Sequence, residues 1–338
     1  MHSRVRSLVI VAVTVALLAF FFRDADFAEV WAETRRADPV LLAGAVLVTF
    51  VTHALRAWRW QSLLAPIGPT RFGDSFQTTV IGFAVSFFVP ARAGEVVRPY
   101  LLAKKAGFRP SAAFATVVLE RLFDLATVLL LFGVFVFTVP VRALSADPSQ
   151  FAHVKFWGGV AAVAAVFGLI VVFALAGHPE RLGSAVRGIE RVLPARIAHA
   201  LARFVETFAQ GLAIMRQPQR LGIALLQSLP VWLSIGVGIW LTSRAFSITF
   251  PFTGSFLVIA LLTVGVAVPT PGQVGGFHAA YQIAVQTFFG VPDDRAVGAA
   301  IVLHAVSSIP ISLLGALYMA REGLTFQNAR QLASSETA

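Results

Sequence analysis

Three charged side chains, Glu120, Arg121 and Asp124, interrupt the otherwise apolar segment Ser111–Val139. If this segment is a membrane-spanning helix, a rise of about 1.5 Å per residue places Glu120 about 14 Å deep, near the midplane of the hydrocarbon core. Glu120 and Asp124 then share one helix face, and Arg121 can reach Asp124. Charges at that depth are costly and predict a substrate or proton site. The alternative is a neutralised ion pair that holds helices together.

Two clusters of proline and glycine carry a second kind of chemistry. Both clusters break helices, and each helix that restarts after one would direct its N-terminal N–H groups into the membrane interior, where they attract an anion. The first cluster begins at Pro90 and brings Arg92 and Arg98, so a phosphate-bearing headgroup is the expected ligand. In the alternative, Glu95 pairs with one of these arginines and only closes the turn.

Histidines form the third set of candidates. His304 lies near mid-depth in the apolar segment Ala296–Ala320, where it would form either a helix–helix hydrogen bond or part of a proton relay; both remain open. His53 precedes residues 56–60, in which basic and aromatic side chains alternate. That alternation is typical of an anchor at the membrane surface, which we expect here in preference to substrate contact.

The candidate substrate-binding residues are polar, charged or helix-breaking residues of these segments, and none is assigned a catalytic or metal-binding role. They are Arg92, Gly94, Glu95, Arg98, Glu120, Arg121, Asp124, Pro271, Gly272, Gly275, Gly276, His278 and His304.

Composition indicates that these residues lie in a membrane protein. Of 338 residues, 57% are hydrophobic and 13% charged, and the mean hydropathy is +0.78. A soluble core cannot bury so much apolar surface. The absence of cysteine excludes disulfides and thiol chemistry. The net charge of +10 comes from basic residues between apolar segments, so membrane topology explains it better than nucleic-acid binding.

Apolar segments predict an all-α polytopic protein with about six full spans. Two shorter segments, Ser75–Val89 and Phe252–Val268, end at the Pro-Gly clusters, and we interpret them as re-entrant hairpins with broken helices. The six predicted spans are Ser7–Phe22 (an uncleaved first span), Pro39–Leu55, Ser111–Val139, Phe156–Gly177, Leu221–Ser243 and Ala296–Ala320.

The distribution of basic residues predicts the orientation. With re-entrant hairpins, both termini and the loop from Pro179 to Arg220, which contains seven arginines, face the cytoplasm of a bacterial inner membrane. Within that loop, apolar residues recur every three or four positions between Arg181 and Met215. The pattern predicts amphipathic helices on anionic lipid, or alternatively a partner-binding segment.

The same order of segments, namely a span, a hairpin and a span with polar residues, occurs twice along the chain. Three crossings per copy, an odd number, make the second copy inverted, as in many transporters. The predicted regions are residues 1–38 (first span and outer loop), 39–139 (first repeat), 140–220 (connecting span and basic cytoplasmic helices), 221–320 (second repeat) and 321–338 (cytoplasmic tail).

At the hairpin tips the chain resembles the lysylphosphatidylglycerol synthase transmembrane family of flippase-like integral membrane proteins. The resemblance rests on Pro90-x-Arg92-x-Gly94-Glu95, on Glu120-Arg121-x-x-Asp124 and on the Pro-Gly cluster of the second half. That cluster departs from the family pattern, because Gln273 replaces a glycine and His278 stands where the family usually has glutamate. The resemblance implies movement of lipids, such as aminoacylated phospholipids, polyprenyl-linked sugars or hopanoid-type lipids, between leaflets.

Three functions follow as hypotheses. The first is a lipid flippase whose partners are membrane lipids; the sequence contains no nucleotide-binding P-loop, and we expect no cofactor. The second is a membrane glycosyltransferase with a lipid-linked donor, supported by a possible metal site at Asp24 and Asp26. The third is a scaffold for lipid-synthesis enzymes. Large family members add a soluble aminoacyltransferase domain; the chain ends 18 residues after Ala320, so we do not expect that activity.

Overall fold

A computed structural model describes residues 27–89, 92–140, 144, 148–177, 217–267 and 270–324. Within these ranges the chain forms ten α-helices and one short 3₁₀ turn, Pro271–Gln273, and no β-strand. The helices are α1 Phe27–Arg36, α2 Pro39–Leu64, α3 Phe72–Phe88, α4 Gly94–Ala106, α5 Pro110–Thr138, α6 Pro148–Gly177, α7 Pro218–Ala245, α8 Gly254–Gly265, α9 Gly276–Phe289 and α10 Asp293–Arg321.

Among the described residues, four helices, α2, α5, α7 and α10, are long and apolar enough to cross a membrane. They contain four of the predicted spans, and their exposed faces carry large apolar side chains such as Leu47, Leu130 and Leu313. The prediction of an all-helical polytopic membrane protein is therefore confirmed. Helix α6 contains the predicted span from Phe156 and begins eight residues earlier, at Pro148. The predicted first span, Ser7–Phe22, the segment Arg181–Met215 and the pair Asp24 and Asp26 lie outside the described residues.

Local sequence explains where the helices begin and end. The Asp38 carboxylate accepts hydrogen bonds from the backbone N–H groups of Val40 and Leu41, at 2.8 and 3.3 Å, and so caps α2 at its first turn. Prolines occupy the first positions of α2 and α5, where no backbone donor is needed. Helices α4 and α9 stop at Gly107 and Gly290, both left-handed, with φ of 75° and 65°.

Each half contains a hairpin of two short helices whose arms touch through glycines. In the first hairpin, a Cβ added to Gly94 would lie 1.7 Å from the carbonyl oxygen of Gly82. In the second, a Cβ on Gly265 would lie 2.4 Å from the carbonyl oxygen of Gly276. Only glycine permits such contact between the arms. Helix α3 matches the predicted segment to within three residues at each end, and α8 is shorter than predicted.

The two halves pack in the same order. Helices α2 and α7 form the most extensive contact, while α3 packs on α10 and α8 packs on α5. The first arm of each hairpin thus packs against the second long helix of the other half, which is α10 for α3 and α5 for α8. The second arm lies against the long helix of its own half, as α4·α5 and α9·α10 contacts show.

The bases of the two hairpins lie at opposite ends of α10. Gln77, near the start of α3, bonds Glu322 just after the C-terminal end of α10, at 2.8 Å. Gln286, near the end of α9, bonds Asp293 at the N-terminal end of α10, at 2.5 Å. A helix of 29 residues is about 43 Å long, so the two hairpin bases lie far apart along α10, as an inverted arrangement of the two halves requires. That they re-enter a bilayer stays a prediction.

One element differs from expectation. The predicted outer loop Arg23–Asp38 contains helix α1, which packs on α10. Glu33 on α1 and Arg295 on α10 form an ion pair of 2.7 Å, and Glu33 is nearly buried. An acidic residue of this segment thus docks α1 on α10.

Candidate functional site

A cavity of about 290 Å³ lies between the two halves. Side chains of all four long helices and of both hairpins line it. Four arginines, Arg56, Arg92, Arg98 and Arg121, reach its wall, and among the described lining residues Glu95 is the one carboxylate. The excess of positive charge favours an anionic ligand.

Behind the cavity wall, Arg59 joins the two carboxylates of α5. Its guanidinium lies 3.1 Å from Glu120 and 2.7 Å from Asp124, and neither Arg59 nor Glu120 is exposed. Asp124 also accepts a hydrogen bond of 2.9 Å from the indole N–H of Trp232 on α7. The carboxylates therefore tie α5 to α2 and α7.

Two further arginines complete this ion-pair network. Arg98 on α4 donates to Glu120 at 2.9 Å and is buried. Arg121 lies 3.0 Å from Glu120, 3.4 Å from Asp124 and 3.8 Å from Glu95, so the predicted Arg121–Asp124 pair is present. Each of the two buried carboxylates thus has at least two arginine partners, as a buried charge requires.

The network favours a structural role for Glu120 and Asp124, and their expected contact with a substrate stays a prediction. Neither residue lines the cavity, because Arg98 and Arg121 reach the cavity wall in front of them. Arg98, expected as a free cation near the hairpin tip, is instead bound to Glu120. The alternative of a neutralised ion pair that holds helices together describes these two carboxylates better.

The expectation of a surface anchor at residues 56–60 is wrong. Only Trp58 is exposed, whereas His53, Arg56, Arg59 and Trp60 are buried. The physical reason is that α2 continues to Leu64, so these residues lie inside the bundle rather than at a helix end. Spacing of three or four residues placed four of them on one helix face, a signal that was available in the sequence.

Arg92 joins the two hairpin tips. Its backbone is left-handed, with φ of 53°, and its guanidinium donates to the carbonyl oxygen of Val266 at 2.7 Å. Glu95 lies 3.7 Å from Arg92, as the hairpin-closing alternative expects. Glu95 also lies close to Arg121, so it connects the tip to the network on α5.

In the second half, two histidines support the broken segment. The ring nitrogen Nε2 of His304 lies 2.8 Å from the carbonyl oxygen of Gly272, and Nδ1 of His278 accepts from the backbone N–H of Gly275 at 3.3 Å. The two rings are 4.7 Å apart. Of the candidates here, Gly272 lines the cavity, Gly275, Gly276, His278 and His304 lie behind it, and Pro271 belongs to the 3₁₀ turn. His304 therefore forms a hydrogen bond, as one of its two interpretations expects, but to the 3₁₀ turn and not to another spanning helix.

The comparison with known families is decisive. The model of the lysylphosphatidylglycerol synthase transmembrane region matches residues 7–315. The chain belongs to this family. Membership confirms the resemblance drawn from the hairpin tips and agrees with a multi-pass membrane protein.

Two curated relatives are similar to this chain over most of its length. Glycosyltransferase AglD of Haloferax volcanii is 27% identical over 324 residues, which cover 87% of this chain and 51% of that protein. The chain thus spans about half the length of AglD. A UPF0104 membrane protein of Methanothermobacter thermautotrophicus is 25% identical over 331 residues, 91% of this chain and 93% of that protein.

The family motifs of the first half meet at the cavity. The contact of 3.8 Å between Glu95 and Arg121 links the tip motif to the motif on α5. Arg59, which carries the shortest ion pair of the network, lies outside both motifs. The motifs alone therefore do not reveal how the buried carboxylates are neutralised.

Proposed function

We propose that this membrane protein moves a lipid with an anionic, phosphate-bearing headgroup between the leaflets of the inner membrane. The headgroup enters the central cavity while the acyl chains remain in the bilayer. One observation carries the proposal: among the described residues, four arginines and one carboxylate line a cavity built from both halves. Arginines in excess of carboxylates at a cavity wall favour an anionic guest, and one of these arginines, Arg56, has no carboxylate partner among the described residues.

The cavity size supports a headgroup as the guest. A volume of about 290 Å³ lies at the lower end of small-molecule sites, which suits a headgroup and excludes a whole lipid. Oppositely oriented hairpins that meet at this cavity are what alternating access needs, because exchanging their conformations opens it to the other side. In this proposal both termini are cytoplasmic and the hairpins are re-entrant.

The ion-pair network sets the roles of Glu120 and Asp124 in this proposal. Each carboxylate is bound by arginines and lies behind the cavity wall. We therefore assign them to holding α2, α4 and α5 in position, and not to carrying protons. The cationic wall in front of them, which includes the half-buried Arg121, meets the headgroup.

The test changes the cavity charge without removing an arginine. Ser308 on α10 lines the cavity and is partly exposed. Ser308→Glu adds a negative charge, whereas Ser308→Gln adds a side chain of similar size without charge. In liposomes with a fluorescent phosphatidylglycerol, leaflet-specific quenching measures movement. The Glu variant should move this lipid more slowly by on the order of tenfold or more, and the Gln variant should stay near the unmodified protein.

Two results would contradict the lipid-transport proposal. The first is movement in protein-containing liposomes no faster than in empty ones, for both phosphatidylglycerol and a second anionic lipid. The second is an equal rate for the Ser308→Glu and Ser308→Gln proteins, since the cavity charge would then be irrelevant to the guest.

A second candidate function is lipid-linked glycosyl transfer, which the name of the relative AglD favours. The metal site suggested for it, Asp24 and Asp26, lies outside the described residues. In a strain that depends on this protein, replacement of both aspartates by alanine should leave the phenotype intact if transport is the function. Loss of the phenotype with retained lipid movement in liposomes would favour transfer instead.

A further inference from the structure

Arg56 differs from the other arginines around the cavity. Its side chain lines the cavity and the residue is only 8% exposed. Two of its guanidinium nitrogens, Nε and Nη1, are buried and have no hydrogen-bond partner. Within the described part of the chain, no carboxylate oxygen lies within 4.0 Å of it. A buried arginine in this condition is costly unless a ligand pairs with it.

The neighbouring carboxylates are already engaged. Asp124 is bound by Arg59 at 2.7 Å, and Glu120 by Arg98 at 2.9 Å. Arg121 contacts both of them and Glu95. Four arginines, Arg59, Arg92, Arg98 and Arg121, thus contact these three carboxylates, and none of the three carboxylates pairs with Arg56.

Two aromatic rings hold the Arg56 guanidinium at the cavity. Its central carbon lies 5.3 Å from the ring centre of Phe83 on α3 and 5.9 Å from that of Trp232 on α7. Aromatic rings attract a cation without consuming its N–H donors. Arg56 is thus positioned between helices of both halves with donors that remain available for the paired oxygens of a phosphate group.

His53, one turn before Arg56, presents an unpaired acceptor at the same cavity. Its Nδ1 lies 2.8 Å from the carbonyl oxygen of Thr49 and must donate, because a carbonyl only accepts. In the neutral ring Nε2 is then an acceptor, and this atom is buried without a partner. Two residues that line the cavity from one face of α2 thus carry buried unpaired donors and a buried unpaired acceptor.

We propose that Arg56 binds the phosphate of the transported molecule and that His53 accepts a hydrogen bond from a hydroxyl or ammonium group next to that phosphate. The proposal deepens the proposed function, on which it rests, by naming the class of guest: a phosphodiester whose headgroup carries a hydrogen-bond donor. A phosphodiester with only an alkyl substituent satisfies Arg56 and leaves His53 unpaired.

The test measures binding to the full-length protein in a nonionic detergent by titration calorimetry. The lipid probes are dioctanoyl phosphatidylglycerol, whose headgroup bears hydroxyls, and dioctanoyl phosphatidylmethanol, whose headgroup has none. The unmodified protein should bind the glycerol lipid about threefold to tenfold more tightly, as a neutral hydrogen bond allows. Arg56→Gln should weaken both lipids by on the order of tenfold to hundredfold. His53→Phe should remove the difference between them.

Arg244 provides the matched control. It also lies over a tryptophan, 5.6 Å from the ring centre of Trp240, but it is exposed and does not line the cavity. Arg244→Gln should bind both lipids like the unmodified protein. Because Arg56 has no carboxylate partner to lose, Arg56→Gln should melt near or above the temperature of the ligand-free unmodified protein, so weaker binding would not reflect unfolding.

The proposal is overturned if Arg56→Gln binds the glycerol lipid as tightly as the unmodified protein does, or if the unmodified protein binds neither lipid. A third probe, glycerophosphoglycerol, is the same headgroup without acyl chains. Suppose that this probe binds as tightly as the lipid and that Arg56→Gln weakens its binding. In that case Arg56 binds a soluble phosphodiester, and the lipid-transport proposal is wrong. Arg56-dependent lipid binding without movement in liposomes likewise overturns the proposed function alone.

Discussion

Replacement of Arg59 by methionine is expected to destabilise the protein strongly, because it removes a cation from two buried carboxylates. Arg59 has no exposed surface and lies within 3.1 Å of Glu120 and 2.7 Å of Asp124. Breaking a buried ion pair from one side costs about 3–5 kcal/mol, since the remaining charge stays buried. Arg98 and Arg121 still neutralise part of the carboxylate charge, so we expect the lower end, about 3 kcal/mol.

The matched variant is Arg56→Met, one helical turn earlier on the same helix. It removes an arginine of equal size and similar burial that has no carboxylate partner. We expect its free energy of unfolding to change by less than about 1 kcal/mol or to increase. A double variant, Arg59→Met with Asp124→Asn, should recover part of the loss, with a coupling energy of about 0.5–3 kcal/mol.

Unfolding by sodium dodecyl sulfate in mixed micelles measures these free energies. Tryptophan fluorescence is a suitable probe, because Trp232 donates to Asp124 and the Arg98 guanidinium lies 4.3 Å from the ring centre of Trp60. If Arg59→Met costs less than about 1 kcal/mol, or costs no more than Arg56→Met, the account of the network given above is wrong.

Three further outcomes are expected. Gly94→Ala should abolish stable folding, since the new methyl group would lie 1.7 Å from a backbone oxygen of α3, whereas Gly133→Ala, with nothing within 4 Å, should be tolerated; melting curves distinguish them. His304→Ala should lower the free energy of unfolding by about 1–3 kcal/mol, because a carbonyl of the 3₁₀ turn loses its bond of 2.8 Å; equal stability would refute this role. In the cysteine-free chain, a membrane-impermeant thiol reagent should label Lys104→Cys from the cytoplasmic side and Thr249→Cys from the outer side; labelling from one common side would refute the inverted topology.

Local sequence was sufficient to predict where the helices form and where they break. Hydropathy over about 20 residues determines whether a segment can cross a membrane, and α2, α5, α7 and α10 all contain segments predicted on that basis. Proline and glycine act on the backbone where they occur, so both hairpins were predicted near their observed positions. The charged residues of α5 were found for the same reason, because they stand out against their own apolar segment.

Tertiary packing alone decided what those charges contact. Asp124 is paired with Arg59, 65 positions earlier, and hydrogen-bonded to Trp232, 108 positions later. The pattern around Arg59 predicted a surface anchor because alternating basic and aromatic residues suit a membrane surface as well as a buried cation among rings. Hydropathy and helix breaking are properties of neighbouring residues. Arg59 lies next to a carboxylate, whereas Arg56 does not. This difference depends on which helices pack together, and only the folded chain determines that.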